Sequence, residues 1–479
     1  MKTKILLTLS VAVTAVAMMQ CGPDDKPPGQ DPQPVTVIIP VELPTNIVPG
    51  FNFPEDSMTI YSWLNTGDTT LNDSAIYAHA WGIWAGLTAE TEQEYGGVQL
   101  RVFETWFGVG EIQSIIKNGL TLDSAKTSRT ALTVPSQVSH HNMMQMSVDT
   151  ALADTQNIFD AVTYNLPAAV YAIQHSILKE DVLNTYYKTG GIGVIPAFPN
   201  NAITLKPTYF IGKPDGNLIR VPVWPGEPPT PRPYGPEFWG SYVYADTTNS
   251  QQPGKNLTPV TTENPTPEQI AAATCNLSDF IYFSMDSAMA HFVDSTQQQP
   301  ATFVTGDLAI LCAMHVATKE ISNWTWQTFY WDPNPAAPKL PGSNLSKPAQ
   351  LTGAPAHYSA STAYAMLRPN QPISGGSNNP AFRPVLGYNP YLEAPFNAAT
   401  FTVPNAYNAN YEYGVQTNCM SCHAMAAYNG PNSPFRYSTD QYINMSDTTL
   451  FNNYVQLDFA WSILVNAIPS STTSSSAKK

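Results

Sequence analysis

Residues 415–428 read "VQTNCMSCHAMAAY", and within them Cys419, Cys422 and His423 spell C-x-x-C-H. The spacing ties the chain to one chemistry. Two thiols three positions apart can each add to a vinyl group of a single haem, and the adjacent histidine then sits beneath the iron as an axial ligand. A zinc site calls for two more Cys or His at similar spacing, and none follows. A thioredoxin-like pair belongs near a βαβ pattern, which the flanks lack. Coincidence is the remaining alternative. With five Cys and eight His in 479 residues, a chance match is roughly a one-in-a-thousand event.

Attachment of this kind takes place outside the cytoplasm, so the N-terminus is expected to carry an export signal. "MKTK" is a short basic region and "ILLTLSVAVTAVAMM" an apolar run of signal-peptide length, too short for a typical membrane span. Two processing sites compete. Ala15-Val16-Ala17 suits ordinary cleavage, whereas Cys21 followed by "GPDDKPPGQDPQP" suits a lipidated cysteine on a polar tether. Met18, Met19 and Gln20 make a poor lipobox, but a lone cysteine at this place in an exported chain favours lipidation. The expectation is a periplasmic or cell-envelope lipoprotein, held at a membrane by its N-terminal lipid.

The chain is 43% hydrophobic, enough for a large core, and only 12% charged, well below the usual quarter. With 43 prolines it has the texture of an exported, β- and loop-rich protein. A net charge of −14 argues against nucleic acid as a partner. It suits a basic redox partner protein, although many secreted proteins are acidic. Cys275 and Cys312 can pair in an oxidising compartment or stand as two buried thiols; sequence separation does not decide between them.

The predicted organisation is a signal peptide over 1–20, a Pro-rich linker over 21–50, a mixed main domain over 51–395, a haem domain over 396–470 and a disordered tail over 471–479. Within the main domain, "DSAIYAHAWGIWAGLT" (73–88) has apolar residues at helical spacing, with Asp73 or Ser74 as cap. "GGVQLRVFETWFGVGEI" reads as strand into turn, and 154–190 as helices broken at Pro167. "NNAITLKPTYFIG", "GNLIRVPVW" and 307–318 read as strands, and 332–400 as irregular chain. Toward the C-terminus, a helix is expected directly before the C-x-x-C-H. Leu450, Tyr454, Leu457, Ala460, Trp461, Leu464 and Ile468 lie at the spacing of a closing amphipathic helix. The fold class expected is therefore α+β: a large β- and loop-rich portion with some helices, plus a small α-helical, cytochrome c-like haem segment. About 75 residues are too few to enclose a haem, so the large portion should supply the other wall.

Several stretches together resemble one family. "HVATKEISNWTWQTFYW" (315–331) is similar to an H-V-x-x-K-x-x-x-W-x-W-x-T-F signature of bacterial, exported single-haem "cytochrome c family" proteins. "HAWGIWAGLT", "LRVFETW", "LSDFIYF" and "NCMSCHAMA" look similar to that family in the same order, from about residue 52 to 465. The resemblance implies an exported haem protein with electron transfer as its presumed role. It places covalent haem c on Cys419 and Cys422 and proximal ligation on His423. It assigns no role to His315, Lys319, Trp324 or Trp326.

Other candidates are weaker. "SHHNMMQM" (139–146) contains copper-ligand types but also suits a Met-rich loop. His79, beside Trp81 and Trp84, suits core packing, and Trp324 and Trp326 suit core or haem-wall packing. Lys319 and Glu320 suit a solvated pair. No G-x-S-x-G, H-E-x-x-H or P-loop pattern occurs. For the distal iron ligand, Met445 ranks first, an open site second and His315 third. The functional expectation is a membrane-tethered single-electron transfer protein. The alternative is a haem enzyme with an open iron site acting on a small oxidant or organic substrate.

Overall fold

The apolar, partly β-branched run "LAILCAMHVAT" forms the strand Leu308–Thr318 (β3) at the middle of the largest sheet. Its antiparallel neighbours are Ile203–Gly212 (β2) and Thr325–Trp331 (β4); beyond them lie Ile158–Asp160 (β1) and Tyr358–Thr362 (β5). The computed structural model describes residues 38–65, 71–95, 98–121, 139–140, 157–296 and 303–470. Cys21, the signal segment, the tail 471–479 and most of "SHHNMMQM" lie outside the described residues. Over the described part the protein is mixed α and β, largely strand-rich, with several mainly antiparallel sheets.

Strand periodicity gives the sheet two different faces. Met314 pairs with Phe329, and His315 with Thr328 and Lys206. The face carrying Phe329 is covered by the helix Asp73–Thr88 (α1), as expected from its apolar spacing. Trp84 stacks on Phe329 with centroids 4.5 Å apart, and its indole N–H donates to the Pro355 carbonyl at 3.0 Å. Asn72, rather than Asp73 or Ser74, caps α1 by accepting from the Ala75 N–H at 3.2 Å. Gly82 and Gly86 leave room for Phe51 and Leu43, whose places a Cβ would invade. Ile38 is fully buried in the same core, and Val41 N–H donates to Thr105 Oγ1 at 3.0 Å. Residues 38–50, read from sequence as linker, thus belong to the folded body.

Four further sequence expectations differ from the structure. Pro167 starts a helix, Leu166–His175, in whose first turn its missing N–H costs nothing, and the segment before it contains strands. The stretch before the C-x-x-C-H is irregular, with one 3-10 turn at Gly414–Gln416. The closing helix 450–468 is a short helix Thr448–Phe451, a strand Tyr454–Gln456 and a short helix Trp461–Val465. Asn453, Asp458 and Phe459 have positive φ (62°, 47° and 67°), which an α-helix cannot contain. The edge at 395/396 separates no cores either. Ala317, Trp324 and Trp326 share one apolar cluster with Cys419, Met420, Phe459 and Trp461, and the described residues form one compact unit. Among the described residues, no helix is long and apolar enough to cross a membrane.

Candidate haem-attachment site

The C-x-x-C-H is itself a single helical turn, Cys419–His423 (α2), and the sequence shows why it starts there. Asn418, fully buried, caps it: Oδ1 accepts the Ser421 N–H at 2.9 Å, and Nδ2 donates to the carbonyls of Ala365 and Val385 at 3.0 and 2.7 Å. Ser421 Oγ donates to the Gln441 carbonyl at 2.5 Å. Cys419 is tied by its N–H and its thiol to the Gly387 carbonyl, at 3.0 and 3.1 Å. Gly414 passes so close to the Glu393 carbonyl that only a residue without Cβ fits.

The other wall of the site comes from the sheet face opposite α1. The Trp326 ring lies 4.1 Å from the His423 ring, centroid to centroid, tilted by 38°. Asn323 Nδ2 donates to Met420 Sδ at 2.9 Å, and Trp461 Nε1 donates to the Cys422 carbonyl at 3.3 Å. His423 donates from one ring nitrogen: with a carbonyl as partner, Nδ1 must carry the proton, and Phe459 O accepts it at 2.9 Å. The Nε2 lone pair is then free for a metal. Burial pushes the His423 pKa down to about 4, against the pull of that carbonyl, so the ring is neutral at pH 7.

Both thiols are pushed up, first by burial and then by the Glu393 carboxylate. This is the reverse of what a reactive C-x-x-C redox pair needs. Among the described residues, no three His, Cys, Asp or Glu side chains converge as an ion site, so the motif does not read as a compact zinc centre. The donor set instead matches haem c, which takes two thioethers at the ring edge and one imidazole at the iron. Cys422 and His423 are only half-buried, as are Glu393, His315 and Lys206 along the same face.

His315 sits at the site, but its Nε2 is engaged with Glu393 Oε1 at 2.7 Å. Burial raises the Glu393 pKa, and His315 and the Asn389 N–H outweigh it, so the carboxyl stays below its usual value. Beside this pair, Lys206 meets Asp160 at 3.0 Å. Met445 is half-buried against the same cluster, its N–H on the Ile373 carbonyl at 3.0 Å and its own carbonyl accepting from Gln456 Nε2 at 2.7 Å. Lys319 and Glu320 are buried rather than solvated: Lys319 pairs with Asp458 at 2.6 Å, and Glu320 with His79 at 3.1 Å. His79 is a packed core residue whose Nδ1 meets Tyr364 OH at 2.7 Å. Cys275 and Cys312 are buried free thiols.

Sequence reasoning missed Asp458, Phe459 and Glu393. The first two were hidden by a helical apolar period. Glu393 lies in an irregular stretch with no local pattern. Asn418 was missed as well, because a helix was expected directly before the motif; an Asn ahead of a helical turn is the signal that could have found it. In comparisons with protein-family models, curated proteins and solved structures, the chain matches none.

Proposed function

We propose that the protein is an exported c-type monohaem cytochrome that transfers single electrons. Cys419 and Cys422 would hold the haem and His423 would ligate its iron. The observation that carries this reading is the His423 tautomer: Nδ1–H committed to the Phe459 carbonyl, Nε2 free. Trp326 supports it by backing the ring. This also joins two stretches that the family resemblance treats as separate marks, 315–331 and the attachment motif. Bound haem supplies a one-electron couple. The chain's part is to fix the imidazole, exclude water from one side and leave the half-buried Cys422 edge toward solvent, where a redox partner could approach. The C-terminal segment would act as the haem-bearing part of the fold, with the sheet as its second wall. An optical spectrum of the purified protein in both redox states tests this. A low-spin iron with covalent haem is expected, and absence of covalent haem would sink the reading.

The His315–Glu393 and Lys206–Asp160 pairs favour a second reading, because a shuttle needs no such polar groups beside its cofactor. That reading is an enzyme with an open iron site, and a high-spin spectrum with fast cyanide binding would select it. The distal ligand decides between the two. Met445 stays the first candidate to test, and His315 is the weakest, since it already spends its Nε2 on Glu393. Met445→Ala should convert low-spin iron to high-spin and lower the reduction potential, because a thioether favours the ferrous state. An unchanged spectrum and potential would rule Met445 out.

The membrane tether through Cys21 belongs to the same proposal. Mass spectrometry of the mature N-terminus should find a lipidated Cys21, and a chain beginning at Met18 would show ordinary cleavage instead.

A further inference from the structure

We propose that Lys319 and Asp458 are positioning residues for His423: their buried pair fixes the turn whose carbonyl orients the histidine ring. The inference rests on the reading that His423 ligates haem iron, and adds a device that tunes it. Asp458 and Phe459 are consecutive residues in the left-handed region, with φ of 47° and 67°. That conformation is unfavourable for Asp and more so for Phe, and it persists only where the surroundings over-determine it. Here they do. Asp458 Oδ1 takes Lys319 Nζ at 2.6 Å, and Asp458 Oδ2 takes the Phe198 N–H at 2.9 Å. Lys319 Nζ is itself fixed by the Ser322 carbonyl at 2.7 Å.

The next carbonyl along, that of Phe459, accepts from His423 Nδ1. A buried ion pair is a poor device for stability alone, because desolvation consumes its attraction. Its side chains are only 6% and 9% exposed. As a geometric clamp it makes sense. A carbonyl held against Nδ1–H fixes the ring's orientation and makes Nε2 a stronger donor, which favours ferric iron. Lys319 lies in the hairpin between β3 and β4, 139 residues from Asp458 in sequence. The large portion of the chain thereby acts on the ligand of the small one.

The test is the reduction potential of covalently attached haem in the Lys319→Met/Asp458→Leu double variant. Both charges go together, so net charge is unchanged and a shift reports the histidine. The expected result is a retained haem-stained band with the equilibrium moved about tenfold toward the ferrous form, a rise of about 59 mV for one electron. Lys319→Arg, which can keep the pair, should stay near the parent. Gly82→Ala, which crowds Phe51 on the other side of the sheet, should lose stability without moving the potential. A double variant with the parent's potential overturns the proposal, and so does an equal shift in Gly82→Ala. If the double variant does not fold, Lys319→Gln decides. Loss of one positive charge alone lowers the potential, so a rise or an unchanged potential supports the clamp, and a fall overturns it. A parent without covalent haem would instead defeat the proposed function, which the stained gel reads separately.

Discussion

Replacing Cys419 and Cys422 together by serine is expected to abolish the haem-stained band on a denaturing gel while leaving the fold intact. A thioether needs sulfur, and both attachment bonds are lost at once. The fold should survive because the motif's helix does not depend on the thiols. Its cap is Asn418, its anchor is Ser421 on the Gln441 carbonyl, and its packing comes from Met420 and Trp326. A serine hydroxyl at 419 can still donate to the Gly387 carbonyl, as the thiol does. Circular dichroism matching the parent, with no stained band, is the expected pair of results. Each single variant keeps one thioether and should still stain. A band surviving in the double variant would remove the attachment claim and, with it, the electron-transfer proposal.

The elements legible from sequence were those whose pattern is local. The helix 73–88 and the strands 203–212 and 308–318 carry their own period or apolar run, and the structure places them where those patterns put them. The failures share a cause. Residues 450–468 have a helical apolar period, but Leu457, Phe459 and Trp461 are buried for different reasons, each against a different part of the motif's surroundings. An ion pair with Lys319 then overrides local preference at Asp458. No window of sequence around 458 contains residue 319. The same applies to His315 and Glu393, 78 residues apart. The C-x-x-C-H stands out in the sequence because the chemistry it suits is set by spacing alone.

The hairpin at 315–326 gains its explanation from these long-range contacts. His315 meets Glu393, Lys319 meets Asp458, Asn323 meets Met420 and Trp326 backs His423. Glu320 turns the other way, binding His79 and the Glu55 N–H, the latter at 2.6 Å. One short segment therefore joins the covered face of the sheet to the face that carries His423. That accounts for a dense run of polar and aromatic residues in a place where an ordinary hairpin would need only a turn.

Asp440→Asn should stabilise the protein above neutral pH and leave it unchanged near pH 4. Asp440 is 2% exposed, and its Oδ1 accepts from Asn405 Nδ2 at 3.0 Å. Burial, only partly offset by that bond, raises its pKa from the ordinary 3.8 to about 8. The sign follows from proton binding. Below about pH 4 the carboxyl is protonated in both folded and unfolded chains, so the residue is neutral to the balance. Between about 4 and 8 the folded chain keeps a proton that the unfolded chain releases, so stability falls as pH rises. Above 8 both forms are ionised and the full penalty stands, at most on the order of 5 kcal/mol at about 1.4 kcal/mol per factor of ten. Asparagine keeps an oxygen for Asn405 and never ionises, so it escapes the penalty. Glu104, raised by burial to about 7, acts in the same direction in both proteins and cancels in the comparison. Urea unfolding at pH 4.5 and pH 8 measures the difference directly. The gap between variant and parent should open by several kcal/mol across that range, and parallel curves would show that Asp440 is not held protonated by the fold.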